Sequence, residues 1–188
     1  MSAEPTKKVP AESEEAPSRF QFIIKTFTAH YLPIEDRIRL DCVDIEGAEQ
    51  CVLITRRLAD KVIPVISTQL EQKIPEGMPK DVAQDMRQER ARQERSSGGM
   101  EHPVVPGEES PKWLCVTVQI KKREQGDFIL MFTDTRTIDA SMVMTEENFR
   151  AVLDIFFDMY KQAEWGPSCF PDWYERRLAE PASNLKLN

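Results

Sequence analysis

The sequence predicts an α+β fold of two β-β-β-α units, antiparallel meanders each followed by an amphipathic helix, packed as one domain with a polar helical and linker insertion between them. Three observations predict it. Apolar residues alternate with a period of two over several short stretches and then switch to a helical period, at 19–73 and again at 112–165. A threonine stands at each switch, Thr55 and Thr145. Residues 74–111 between the units are polar and rich in charge, proline and glycine.

The second unit shows the pattern best. Leu114, Val116, Val118 and Ile120 fall on one face of its first strand, and Cys115, Thr117, Gln119 and Lys121 on the other, as a half-buried strand requires. A charged turn containing Gly126 leads to a second apolar run at 128–133, and a third comes at 137–144 with Ile138, Ala140, Met142 and Met144 on one side. Thr145 is an N-cap, with Glu146 and Glu147 in the first turn where the helix dipole favours negative charge. Phe149, Val152, Leu153, Phe156, Tyr160 and Ala163 then recur at helical spacing, with Arg150, Asp154, Asp158 and Lys161 expected on the solvent side. Burying each large side chain of that stripe is worth about 1.5–3 kcal/mol. Trp165-Gly166-Pro167 ends the helix.

In the first unit Phe20, Phe22 and Ile24 alternate, and Phe27 and Tyr31 lead on to Leu32-Pro33. Ile38, Leu40 and Cys42 mark a second strand and residues 51–55 a third, joined by a turn at Glu46-Gly47. With those two residues central to the turn, Cys42 faces Cys51 and Leu40 faces Leu53. Two buried thiols in a reducing compartment and a cross-strand disulfide are the competing readings of that juxtaposition. Thr55 opens a helix with the stripe Leu58, Val62, Ile63, Ile66 and Leu70. Pro64 inside it predicts a kink near Asp60 or a break into two shorter helices.

Four segments lie outside the two units. Residues 1–18 lack apolar content to repay ordering and read as a disordered tail. The insertion 74–111 reads as mobile: a solvated helix at 79–95 with a narrow stripe of Val82, Met86 and Ala83, then a flexible linker. Residues 166–178 concentrate Phe170, Trp173 and Tyr174, which either fold back onto a domain spanning 19–178 or form an exposed docking surface. Residues 179–188 read as a frayed tail.

Function is less legible. The chain has 188 residues, 25 basic against 32 acidic, and a formal charge of −7, which opposes general nucleic-acid binding. No apolar run approaches the roughly 20 residues of a membrane span, and without a signal-peptide core the expected location is cytoplasmic. The four cysteines, at 42, 51, 115 and 169, and the two histidines, His30 and His102, lack metal-ligand spacing. No Gly-rich phosphate loop, nucleophile elbow or HExxH motif occurs. No catalytic, cofactor-binding or metal residue is therefore assigned, and the expected protein is not an enzyme. Arg56, Arg57 and Lys61 are the unusual arrangement. Cations in a helix's first turn oppose the dipole and could hold an anion or a partner's carboxylate, or pair with Asp41 or Asp60. The expected role is that of an adaptor or assembly subunit with a protein partner or self-association. A small-anion-binding module at Arg56 and Arg57 is the alternative.

Overall fold

The computed structural model describes residues 20–71, 77–97, 102–135 and 138–174, so both terminal tails lie outside the described residues. The elements in order are β1 (Phe20–Leu32), β2 (Arg37–Asp44), β3 (Glu49–Thr55), α1 (Arg56–Glu71), α2 (Lys80–Ser97), β4 (Lys112–Leu114), β5 (Thr117–Lys122), β6 (Phe128–Thr133), β7 (Ile138–Met144) and α3 (Glu146–Gln162). A further helical segment begins at residue 172. The architecture is mixed α+β, with a seven-stranded mixed sheet in the order β4-β3-β2-β1-β7-β6-β5.

β1 changes partner partway along. From Phe20↔Ile138 to Ile23↔Ser141 it runs parallel to β7, and from Ile24↔Asp44 to Leu32↔Arg37 it runs antiparallel to β2. The register shifts between Ile24 and Thr26. Such an extra residue reverses the facing of the rest of the strand. Phe22 and Ile24 before it, and Phe27, Ala29 and Tyr31 after it, thus all join the core. This is why the apolar spacing falls out of step in the middle of the strand.

The strand expected at 114–121 behaves in the same way and is in fact two. β4 runs parallel to β3, from Cys51↔Lys112 to Leu53↔Leu114. Cys115 N still donates to Leu53 O at 2.9 Å, but Val116 N donates to Thr133 O at 2.9 Å, and the chain continues as β5 antiparallel to β6. Trp113 and Cys115 are buried while Leu114 and Val116 are exposed, and Val118 and Ile120 pack against the core beyond the handover. The expected placing of Leu114 and Val116 with Val118 and Ile120 is corrected by that change of partner. β4 and β5 stand at opposite ends of the strand order, yet only Cys115 and Val116 separate them. Since a chain spans at most about 3.6 Å per residue, the sheet must curl until its ends meet. α1 accordingly touches both β3 and β5.

The β2–β3 hairpin is one residue out of the expected register. Asp44 Oδ1 accepts from Glu46 N and Ala48 N, each at 2.8 Å, and Asp44 N donates to Ala48 O at 2.9 Å. This Asx-type turn widens the loop, with Gly47 in the left-handed region at φ 89°. Cys42 therefore faces Gln50, and Cys51 faces Asp41. Neighbouring strand residues point to opposite faces, so the two cysteines lie on opposite sides of the sheet. All four cysteines are free thiols, and the expected Cys42–Cys51 juxtaposition does not occur.

Both helix starts are capped as the sequence predicts. Thr55 Oγ1 accepts from Leu58 N at 3.2 Å, and Thr145 Oγ1 from Asn148 N at 3.3 Å. α1 is one continuous helix with Pro64 exposed inside it, rather than two short ones. α3 ends as Glu164 turns left-handed at φ 54° and Trp165 N donates to Tyr160 O at 2.9 Å. That bond satisfies a carbonyl the helix would otherwise leave open.

α3 is buried more fully than its stripe suggests. Phe149 stacks on Phe128 with ring centroids 4.3 Å apart and 12° between planes. Arg150 and Asp154, expected in solvent, are 1% and 5% exposed because α2 lies across them. α2 in turn buries Ala83, Gln84, Gln88 and Ala91, while Val82 and Met86 are 49% and 61% exposed. Of the expected stripe only Ala83 is buried, and the rest of the buried face is Gln84, Gln88 and Ala91.

Replacing Phe149 by alanine empties the most enclosed aromatic site, so we expect Phe149→Ala to lower unfolding free energy by about 3–5 kcal/mol. Urea denaturation monitored by circular dichroism measures it, and a loss below about 1 kcal/mol would mean the ring does not belong to the core.

Candidate functional site

In the folded protein Arg56 parts from Arg57 and Lys61. Arg56 Nε lies 3.7 Å from Asp60 Oδ2, and its guanidinium sits 5.8 Å from the centroid of the Trp165 ring. Asp60 also accepts the Tyr160 hydroxyl at 2.6 Å, which ties α1 to α3. Burial, then that hydrogen bond, raises the Tyr160 phenol above its usual range. The side chains of Arg57 and Lys61 are exposed and make no ion pair or hydrogen bond among the described residues. They stand one turn apart and hence on one side of α1.

Beside them α1 runs along β5. Leu58, Lys61, Val62 and Val65 of the helix, with Val116, Thr117, Val118 and Ile120 of the chain entering and forming β5, enclose a groove of about 300 Å3. Val65 is 46% exposed and Val116 41%. The helical residues recur at i, i+3, i+4 and i+7, so they form one wall. β5 is hydrogen-bonded to β6 from Thr117↔Thr133 to Lys122↔Phe128. No other strand pairs with it among the described residues. Sequence reasoning found the cations as an oddity of the first turn but missed the groove, because its second wall arrives sixty residues later in the chain.

The partner change in β1 opens a corresponding space against α3. Two adjoining cavities of about 710 and 550 Å3 share Phe27, Asn148, Ala151 and Ile155. Glu94 and Pro103 line the larger one, on either side of residues 98–101, which lie outside the described residues.

On the opposite face of the sheet Asp41 is 1% exposed. Its Oδ2 receives Arg39 Nη2 at 2.8 Å and stands 3.3 Å from His30 Nε2. Asp41, named as an alternative partner for the α1 cations, is committed here. Burial, reinforced by a hydrogen bond to Asp41, pushes the Cys51 thiol up to about 11. Cys115 is likewise pushed up to about 11, chiefly by burial, and burial raises Cys42 as well. At neutral pH such thiols stay protonated and react weakly.

Phe170, Trp173 and Tyr174 fold back and are buried, which is the first of the two readings of that run. Phe170 meets Phe157 edge-on at 5.1 Å, and Trp173 Nε1 donates to Glu71 Oε1 at 2.8 Å. Tyr174 joins a polar cluster that fastens α2. Its hydroxyl bonds Asp154, which also receives Arg92 Nη2 at 2.8 Å. Gln84 Oε1 accepts from Arg150 Nη2 at 2.7 Å, and Gln88 Nε2 donates to the Arg150 carbonyl at 3.0 Å. Buried in this way, the three aromatics offer no open docking surface.

Among the described residues no group of three or more His, Cys, Asp or Glu side chains could hold a metal ion, and no helix is long and apolar enough to cross a membrane. No family model, curated protein or solved structure matches the chain.

The thiols give a pH prediction. Cys51 and Cys115 bind their protons more tightly folded than unfolded, so their contribution to stability is full at neutral pH and is lost as pH rises through about 11. Denaturation midpoints should fall across that range and fall less in Cys51→Ser. In native buffer at pH 8 both thiols should resist alkylation, and free-thiol counts should not change on air oxidation. Rapid labelling of Cys51 in the folded protein would contradict this.

Proposed function

We propose that this protein is a non-enzymatic interaction protein, an adaptor or subunit of a larger assembly, that binds a protein partner. The observation that carries the reading is the α1–β5 groove: an end strand lined by a helix, with exposed valines on its walls, Lys61 in its lining and Arg57 one turn before it, the two side chains unpaired among the described residues. Edge strands with apolar surroundings are places where other chains pair. Protonated, buried thiols suit a structural role for the cysteines better than a nucleophilic one. Four free thiols also fit a reducing compartment such as the cytoplasm.

The same reading takes 19–178 as one domain of two matching β-β-β-α halves. Support comes from the pairing pattern. The first strand of each half runs parallel to the last strand of the other before turning antiparallel to its own neighbour. Each helix lies along the strand stretch that the handover releases. The small-anion alternative draws less support, because Arg56 is already held between Asp60 and Trp165.

Affinity purification of the tagged, full-length protein from its native host, with mass measurement of the eluted complex, tests the reading. We expect a second protein, or a second copy of this chain, in fixed stoichiometry. A lone monomer whose melting temperature rises with phosphate or carboxylate metabolites, and does not rise in Arg57→Ala, would overturn it in favour of the anion module.

A further inference from the structure

We infer that the α1–β5 groove receives a short, extended, acidic segment of a partner protein, added to the sheet as a strand beside β5. The inference rests on the interaction reading above and names the partner's chemistry. β5 is six residues long, and its ladder to β6 uses one side throughout. The backbone groups of a strand point alternately to its two sides, so the far side of β5 presents donors and acceptors to any chain laid along it. A groove of about 300 Å3 has room for the inward side chains of a short strand. Leu58, Val62 and Val65 on one wall and Val118 and Ile120 on the other make its lining apolar. Inward positions of the segment are thus β-branched or aromatic.

Charge supplies the remaining selectivity. The protein carries a formal charge of −7, so an acidic segment gains nothing from the distant field. What favours it is local: Lys61 in the groove's lining and Arg57 one turn before it on the same side of α1, with neither guanidinium nor ammonium engaged among the described residues. Val65 continues their row down the helix. A carboxylate entering beside Val65 meets Lys61 first and Arg57 second. The adjacent Arg56 is spent on Asp60 and Trp165 and holds the helix start in place. Lysines at a sheet edge can also serve merely to repel other strands, and that outcome is distinguishable.

The experiment selects heptapeptides from a random displayed library on the immobilised full-length protein. The enriched sequences are then measured as fluorescein-labelled synthetic peptides by anisotropy, with 15N amide shifts to locate them. We expect enrichment of Asp or Glu among alternating β-branched or aromatic residues, proline excluded, and shifts at Val118, Gln119 and Ile120. Lys61→Glu should weaken binding by about tenfold and Lys61→Arg by less than about twofold. A peptide with its acidic residue changed to lysine should recover affinity for Lys61→Glu. Unchanged melting temperatures show that the variants fold. No enrichment, enrichment of basic peptides, or shifts confined to Phe27 and Ile155 would each overturn the inference. If Lys61→Glu still recovers the same host partner as the unaltered protein, the groove assignment fails while the interaction reading stands; loss of every partner from the unaltered protein sinks both.

Discussion

The structure depends on two strands that change partner in mid-course. A buried backbone must find hydrogen bonds along its whole length. β1 finds them first on β7 and then on β2, and the 112–122 stretch finds them first on β3 and then on β6. Each handover turns a strand from parallel to antiparallel pairing and leaves one of its edges uncovered. Together they force the sheet to curl, because its two end strands are joined by only Cys115 and Val116. The placing of the helices is a result of this. α1 and α3 pack where the ladder has parted: α1 touches β3 and β5, which are far apart in the strand order, and α3 touches the neighbouring β1 and β7.

The features legible in the sequence were local. The switch from a period of two to a helical period, the capping threonines, and the stripes of α1 and α3 all arise within a few residues, and all are present in the fold. The features it concealed depend on partners far along the chain. A parity slip at Lys25, or at Cys115 and Val116, looks like noise until the second ladder is known. The hairpin register failed by one residue because Asp44 uses its own side chain to build a wider turn. Arg150, Asp154, Gln84 and Gln88 look solvated in any periodicity argument, since nothing in a hydropathy pattern says that two polar faces will meet. For the candidate site, Arg57 and Lys61 were visible as cations opposing a helix dipole, but the β5 wall was not.

Polar contacts also fix the order in which the helices are held. Tyr160, Asp60, Arg56 and Trp165 form a chain of contacts from α3 through the start of α1. The α1 wall of the groove therefore stands on α3 and not on β5 alone. Tyr31 packs edge-on against Trp165 at 5.6 Å, and Asp36 accepts from Trp165 Nε1 at 2.9 Å, which brings β1 into the same group. One aromatic side chain past the end of α3 thus braces α3, the start of α1 and the end of β1.

The seam between α2 and α3 has a thermodynamic consequence of its own. It is closed by amides, guanidiniums and carboxylates, with Ala83 and Ala91 as its small apolar component. Exposing apolar surface raises heat capacity and exposing polar surface lowers it. Peeling α2 away would set the two against each other, so its enthalpy would scarcely vary with temperature. The aromatic interior beneath behaves oppositely. In a calorimeter the two openings would carry different curvature: the free energy of opening the interior would bend with temperature, and that of releasing α2 would run close to a straight line.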